Sequence, residues 1–194
     1  MISLRELIKA RAKANRALTE AGIALTPEEA AEIEVADFGM GDLETLGLQL
    51  VTYLNTERVC AKELIMMPWQ TCPEHRHPSI GGQPGKEETF RCRAGMMYLY
   101  VPGKPNSDPQ LHGLENYREH MTSTHEIILL PGDQYTLLPD TPHWFRAGPD
   151  GAVVSEFSTT STDEHDIFTD PRLVRSTEVL GGSAPKPPQT FEKV

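Results

Sequence analysis

Between residues 46 and 158 the sequence is a succession of short, mostly apolar segments with no helix-like stretch between them. Turn-forming residues separate these segments, as in the Pro131-Gly132-Asp133 turn. Many short strands joined by turns rather than by helices are typical of an antiparallel β-barrel or a double-sheet jelly roll. The chain is therefore predicted to be mainly β. The segments expected to form strands are 46–51, 59–67, 88–92, 96–101, 126–130, 135–138 and 152–158.

Only the N-terminal part of the chain has a helical pattern. Ser3 and Glu6 form a capping box, in which each side chain bonds a free amide of the first turn. Gly22 favours the end of this helix, and Thr26 followed by Pro27 marks the start of a second, shorter one. The apolar stripe of the first helix consists of Leu4, Leu7, Ile8 and Leu18.

The length of 194 residues suits one domain with a full hydrophobic core. Symmetric dimers are common among soluble proteins, so a homodimer is the expected oligomer. The chain is expected to have three parts: an N-terminal helical segment packed on the barrel (1–36), the barrel itself (37–180), and an extended, proline-rich tail (181–194).

Composition excludes several classes of partner. The formal net charge is −10 and no cluster of Lys and Arg stands out, whereas binding to a phosphate backbone needs a concentrated positive surface. No stretch approaches the roughly 20 apolar residues that cross a bilayer. We therefore expect neither a nucleic-acid nor a membrane partner. Three irregularly spaced cysteines favour reduced thiols over a disulfide framework, and hence a cytoplasmic protein.

Two histidines, His75 and His77, are the first candidates for a metal site. In a strand, residues two apart point to the same face, so both imidazoles can reach one ion. Such a pair alone is weak evidence, since it also occurs on exposed strand faces. Glu88, which opens a predicted strand, and His143, which follows a proline-rich turn, strengthen the case. Three imidazoles and one carboxylate suit a single Mn²⁺, Fe²⁺, Co²⁺, Ni²⁺ or Zn²⁺ ion.

These segments resemble the paired motifs of the cupin superfamily, one with H-x-H, Glu and Gly and one with Pro-Gly-Asp, a proline-rich turn and His. The resemblance assigns Glu88 rather than Glu87 as the ligand, because six residues then separate it from Gly95. Ten residues lie between His77 and Glu88, more than in the general pattern, and Asp140 stands where a glycine is usual. The insert contains glycine and proline and is expected to bulge out as a loop. A cupin-type antiparallel β-barrel (jelly roll) is the implied fold.

Five segments carry a finer resemblance, which covers about residues 60 to 170: 73–78, 85–95, 129–133, 141–145 and 156–159. They are similar to segments of the D-lyxose isomerase family of sugar cupins. Family members interconvert D-lyxose and D-xylulose, often also D-mannose and D-fructose, usually with Mn²⁺. The resemblance thus implies a sugar ketol-isomerase with a monosaccharide substrate and a Mn²⁺ ion.

The residues can also be examined for this chemistry directly. Aldose–ketose isomerisation through a cis-enediol moves a proton between C1 and C2, which requires a base. Glu156 is the candidate base, because it lies in an apolar predicted strand; a salt-bridged strand carboxylate is the alternative. Lys86, two residues before Glu88, is the candidate to hydrogen-bond a sugar oxygen, and an exposed loop lysine is the alternative. A hydride shift, which needs no side-chain base, is the competing route.

Three residues near the end of the predicted barrel are further candidate substrate contacts. Asp166 ends a charge run at 163–166, which is either a solvated loop or a polar loop that binds sugar hydroxyls. Phe168 and Arg175 complete the expected wall of the substrate site.

Two other functions use the same ligand set. An Fe²⁺-dependent cupin dioxygenase would need an apolar pocket for its organic substrate, whereas this chain offers Lys86, Glu156 and Asp166 near the metal. A non-enzymatic sugar-binding cupin would have no use for a general base. Oxygen uptake with iron, set against sugar interconversion with manganese, separates the first alternative from the isomerase.

Overall fold

The computed structural model of the protein describes residues 1–180, so the predicted proline-rich tail at 181–194 lies outside the described residues. The helices are α1 (Leu4–Glu20) and α2 (Pro27–Glu32), with 3-10 turns at Arg118–His120 and Asp163–His165. The strands are β1 (Ile2–Ser3), β2 (Glu34–Ala36), β3 (Leu48–Asn55), β4 (Cys60–Met66), β5 (Thr71–Arg76), β6 (Glu88–Val101), β7 (His125–Leu129), β8 (Gln134–Leu137), β9 (His143–Ser158), β10 (Ile167–Phe168) and β11 (Val179–Leu180).

One antiparallel sheet dominates the molecule. Strands β10, β5, β9, β4, β3 and β2 are hydrogen-bonded in that order, and β6 joins them by pairing with β7, β8 and β9. The long strand β9 pairs with β5 through its first residues and with β4 through its last ones, so the sheet curls back on itself. This curled antiparallel sheet confirms the predicted fold class.

Strand β6 joins two segments, 88–92 and 96–101, that the sequence predicted as separate strands. Register shifts near Cys92 and Gly95 let the strand bend rather than end. Gly95 has a φ of 71°, and a Cβ there would come within 2.1 Å of the carbonyl oxygen of Gly151. Only glycine fits so close an approach of two backbones.

Helix α1 packs its small residues on the outer face of the sheet. Its capping box forms as predicted, with Ser3 Oγ accepting a hydrogen bond of 3.2 Å from the Glu6 amide. The predicted stripe is partly wrong, because Leu4 is 50% exposed and Ile8 is 59% exposed. Both lie to one side of the buried row, which follows the helical repeat at Leu7, Ala10, Ala14 and Leu18.

None of the helices within residues 1–180 is long and apolar enough to cross a membrane. The boundaries of the predicted parts, at residues 36 and 180, stay predictions.

Candidate active site

A cavity opens into the interior of the curled sheet, with about 380 Å³ between its walls, counting the space open to solvent at its mouth. Strands β3, β4, β5, β6, β9 and β10 all contribute to this wall. Apolar side chains such as Leu48, Leu64 and Phe145 lie beside ionisable ones. Most of the predicted site residues line this cavity: His75, His77, Lys86, Glu88, Glu156, Asp166, Phe168 and Arg175.

The three predicted histidine ligands converge at the cavity. His75 lies on β5 directly opposite His143, the first residue of β9. His77 lies just beyond the end of β5 rather than inside a strand, yet it is brought to the same place. One ring nitrogen from each histidine lies within 4.8 Å of those of the other two, and all three side chains are buried.

Hydrogen bonds to the far ring nitrogen orient each imidazole. His75 Nδ1 lies 2.8 Å from the Pro73 carbonyl oxygen, and His143 Nδ1 lies 2.9 Å from that of Thr141. Because a carbonyl oxygen only accepts, Nδ1 of both rings donates and Nε2 is left with a free lone pair. The buried Nε2 atom of His143 lies near the Glu88 carboxylate but makes no hydrogen bond within residues 1–180. Imidazoles fixed in this way are typical of metal ligands.

Glu88 completes the predicted ligand set. Its Oε1 atom lies 3.0 Å from His77 Nε2 and 3.1 Å from His143 Nε2. Two ligands that are each about 2.1 Å from an ion at right angles are about 3 Å apart, so these separations fit a shared cation. The pKa of Glu88 is held well below its usual range, because Lys86 and His77 outweigh the cost of burial. The donor set therefore fits a divalent ion.

The two histidines of the H-x-H pair have opposite pKa shifts. Burial, with His143 and His77 nearby, lowers the pKa of His75 well below its usual value. Burial also disfavours the charged form of His77, but Glu88 and Asp166 raise its pKa to about 9. A cation at this position would take the place of the His77 proton, since metal binding and protonation compete.

Beside the histidines lies a cluster of buried charges. Lys86 Nζ is 3.0 Å from Glu156 Oε1 and 2.8 Å from Glu88 Oε2. Burial opposes its charge, yet Asp163, Glu156 and Glu88 together raise the pKa of Lys86 well above its usual value. Lys86 precedes strand β6 and is only 5% exposed, so the exposed loop lysine is ruled out. The candidate base and the candidate donor thus form one ion pair at the cavity.

The other predicted substrate contacts also reach the cavity, each with a partner of its own. Asp166 Oδ1 lies 2.5 Å from His77 Nδ1, so this carboxylate orients a candidate metal ligand. Burial raises the pKa of Asp166, and the hydrogen bond to His77 opposes that shift. The Phe168 ring lies 5.8 Å from the His75 ring, and Arg175 pairs with Glu34.

The model of the D-lyxose isomerase family matches residues 25–186 of this sequence. The chain belongs to the D-lyxose isomerase family. It is 55% identical over 179 residues to the D-lyxose/D-mannose isomerase of Thermosediminibacter oceani, a match that covers 92% of this chain and 99% of that protein. It is 56% identical over 177 residues to the D-lyxose ketol-isomerase of a Thermofilum species, with coverages of 91% and 98%. Membership of the family confirms the predicted enzyme class, a sugar ketol-isomerase.

Solved structures resemble this member of the D-lyxose isomerase family in fold. The ligand-free L-ribose isomerase of Cellulomonas parahominis superposes with a TM-score of 0.75 at 20% identity, covering 92% of this chain and 98% of that one. The L-ribose isomerase of Acinetobacter sp. DL28 in complex with L-ribose gives a TM-score of 0.75 at 18% identity, with the same coverages. The shared fold confirms the predicted cupin-type barrel.

Two charged residues of this D-lyxose isomerase family member escaped sequence reasoning. Lys62 is buried on β4, and its Nζ atom lies 2.6 Å from Asp163 Oδ2. Asp163 belongs to the charge run in which only Asp166 was singled out, and it lines the cavity. A signal for Lys62 was present, because it is a lysine inside an apolar segment predicted to be a strand. The sequence alone does not show to which face of the sheet the Lys62 side chain points, because that depends on the strand register.

Proposed function

We propose that the protein is a metal-dependent aldose–ketose isomerase that interconverts D-lyxose and D-xylulose, and also D-mannose and D-fructose. The observation that carries the proposal is the pairing, in one cavity, of three oriented imidazoles with the buried ion pair of Lys86 and Glu156. The relatives named for D-lyxose and D-mannose support the choice of sugars.

In this proposal His75, His77, Glu88 and His143 hold one divalent ion. Manganese is the expected ion, and Co²⁺, Fe²⁺, Ni²⁺ and Zn²⁺ suit the same nitrogen and oxygen ligands. When bound, such an ion supplies Lewis-acid polarisation of the sugar oxygens at C1 and C2.

Glu156 and Lys86 do the proton chemistry that the chain itself supplies. The Glu156 carboxylate removes the proton from C2 of the aldose and returns it to C1, while the hydroxyl proton of O2 passes to O1, which gives the ketose through a cis-enediol. The ammonium group of Lys86 donates a hydrogen bond to a sugar oxygen and stabilises the negative charge that develops there. Its 3.0 Å contact with Glu156 keeps donor and base on the same part of the cavity wall.

Asp166, Phe168 and Arg175 are proposed to contact the sugar from the remaining wall. Each lines the cavity and none is a proposed metal ligand. Asp166 has a second task, because its bond to His77 Nδ1 fixes that imidazole. A homodimer and a cytoplasmic location stay predictions. Light scattering after size-exclusion chromatography would measure the molar mass and so test the homodimer.

The deciding experiment is a panel of pentoses and hexoses offered to metal-free protein reconstituted with Mn²⁺, Co²⁺, Fe²⁺, Ni²⁺ or Zn²⁺. We expect D-lyxose to give D-xylulose, and D-mannose to give D-fructose, only after a metal has been added, with Mn²⁺ the most effective. Full turnover in the metal-free protein would contradict the metal requirement. Absence of any ketose, together with oxygen uptake in the presence of Fe²⁺ and an organic substrate, would favour the dioxygenase.

A further inference from the structure

Lys62 is a buried charged residue that the proposed mechanism leaves unused. It is 4% exposed, lies on β4 directly across from Glu156, and does not line the cavity. Burying an ammonium group is costly unless its donors are paired. Its side chain is on the cavity face of the sheet and contacts two residues that line the cavity, Glu156 and Asp163.

The closest contacts of Lys62 lie in the segment 159–166, which links β9 to β10. Its Nζ atom is 2.8 Å from Ser161 Oγ and 2.6 Å from Asp163 Oδ2. The backbone of the same segment is fixed separately, because the Asn55 amide pairs with Ser161 N and O at 3.0 and 2.8 Å. Asn55 thus anchors the main chain, whereas Lys62 fixes the Asp163 side chain.

The buried charges around Lys62 alternate in sign. Lys62 neutralises Asp163, whose Oδ1 atom lies 3.4 Å from Lys86 Nζ. Lys86 Nζ is closer to Glu156, at 3.0 Å, and to Glu88, at 2.8 Å, than to Asp163. Without Lys62, the buried Asp163 carboxylate would lose its shorter ion pair and compete with Glu156 for Lys86.

We propose that Lys62 is a positioning residue: by pairing with Asp163 it keeps Lys86 on Glu156 and ready for the sugar. The expected consequence for turnover rests on the proposed function, whereas the contact with the segment 159–166 does not. Lys62 does not touch the sugar in this proposal, and its 2.6 Å pair with Asp163 is much shorter than its 3.8 Å contact with Glu156 Oε1.

The kinetic test compares Lys62→Met with Lys62→Met/Asp163→Asn and with the surface control Lys9→Met. Lys62→Met should retain its metal and lower kcat for D-lyxose by about 10–100-fold with KM changed by no more than about 3-fold, since Lys86 is drawn off its position. Removing the Asp163 charge as well should restore most of kcat, because Asp163 then no longer competes with Glu156 for Lys86. A double variant slower than Lys62→Met, or unchanged kcat in Lys62→Met, would overturn the proposal.

A second measurement does not depend on activity. Amide hydrogen exchange of residues 159–166 should become faster in Lys62→Met and stay unchanged in Lys9→Met, because only the first variant frees Asp163 and Ser161. If the wild-type protein converts no aldose, the proposed function fails, and the exchange result alone decides the role of Lys62. Unchanged exchange would then overturn it. If Lys62→Met does not fold, Lys62→Gln, which keeps donors but no charge, replaces it in both measurements, and changes in the same direction are expected because the ion pair with Asp163 is lost.

Discussion

Strands β3, β4 and β9 bury both of their faces, one against the cavity and the other against helix α1. On the cavity face, Lys62 and Glu156 lie opposite each other, and each is within 4 Å of a group of opposite charge. On the helix face, Gln49 is fully buried, and neither its amide oxygen nor its amide nitrogen has a partner within residues 1–180. The same alternation of strand residues thus produces a cavity face of paired charges and a mostly apolar helix face, on which Gln49 and the hydrogen-bonded pair Glu63–Ser155 are buried polar groups.

The difference separates function from stability in one sheet. Charged groups on the cavity face are paired with one another, as Lys86 is with Glu156, and the buried Nε2 atom of His143 beside them makes no hydrogen bond within residues 1–180. On the helix face, the apolar residues pack against helix α1 and contribute to stability: Val51, Ile65 and Val153. Substitutions on the cavity face should change activity far more than folding, and those on the helix face should do the opposite.

The largest effect is expected from His143→Ala on the cavity face. Loss of this ligand should reduce isomerase activity to background, because the ion would be released or misplaced. The free energy of unfolding should change little, since the barrel has a large apolar core of its own. Elemental analysis, the aldose assay and thermal unfolding measured by circular dichroism check the three expectations.

The matched control is His165→Ala, whose side chain is 54% exposed. It should keep full activity and full metal content. Full metal occupancy together with full activity in His143→Ala would mean that this histidine is not a ligand.

Glu156→Gln should have the next largest effect. The amide keeps the size of the carboxylate but cannot take a proton, so kcat should fall by about 10²–10⁴-fold with the metal retained. In D₂O the wild-type reaction should place deuterium at C1 or C2 of the product, because a proton held by a side chain exchanges with solvent. Complete retention of the substrate hydrogen and near-normal rates in Glu156→Gln would instead indicate a hydride shift. The control is Glu164→Gln, on a side chain that is 70% exposed.

Asp166→Asn tests the support of a ligand rather than a ligand itself. The amide is a poorer acceptor for His77 Nδ1, so metal affinity should fall by about 10–100-fold. Titration of the metal-free protein with Mn²⁺, followed by activity or calorimetry, measures this change. Excess Mn²⁺ should recover most of the activity lost through weaker binding. An unaltered affinity would show that the Asp166–His77 contact does not orient the ligand.

The amino-acid sequence predicted the site better than the structure around it. Strand periodicity and the resemblance to the cupin motifs singled out His75, His77 and His143, and the structure brings these three residues together. The sequence did not pair Lys62 with Asp163. These two residues are 101 positions apart, and only the folded sheet brings them together. The contact between helix α1 and the sheet was also beyond the sequence. Leu4 and Ile8 were expected to be buried there, whereas the structure exposes both and buries alanines of the same helix.

The smallest effect is expected on the helix face, from Gln49→Met. Gln49 on β3 lies between Ile65 on β4 and Val35 on β2. The side chains of Ile65 and Val35 pack beneath α1. A buried amide without partners has lost its bonds to water, and methionine has nearly the same shape without that cost. We expect the free energy of unfolding to rise by about 1 kcal/mol, which corresponds to a rise in Tm of about 2–4 °C for a chain of this size. Activity and metal content should not change, because Gln49 does not line the cavity. The control Gln83→Met, on an exposed loop, should leave Tm where it is. A lower Tm in Gln49→Met would show that the amide has a partner, such as a buried water molecule, and that the helix face is not packing alone.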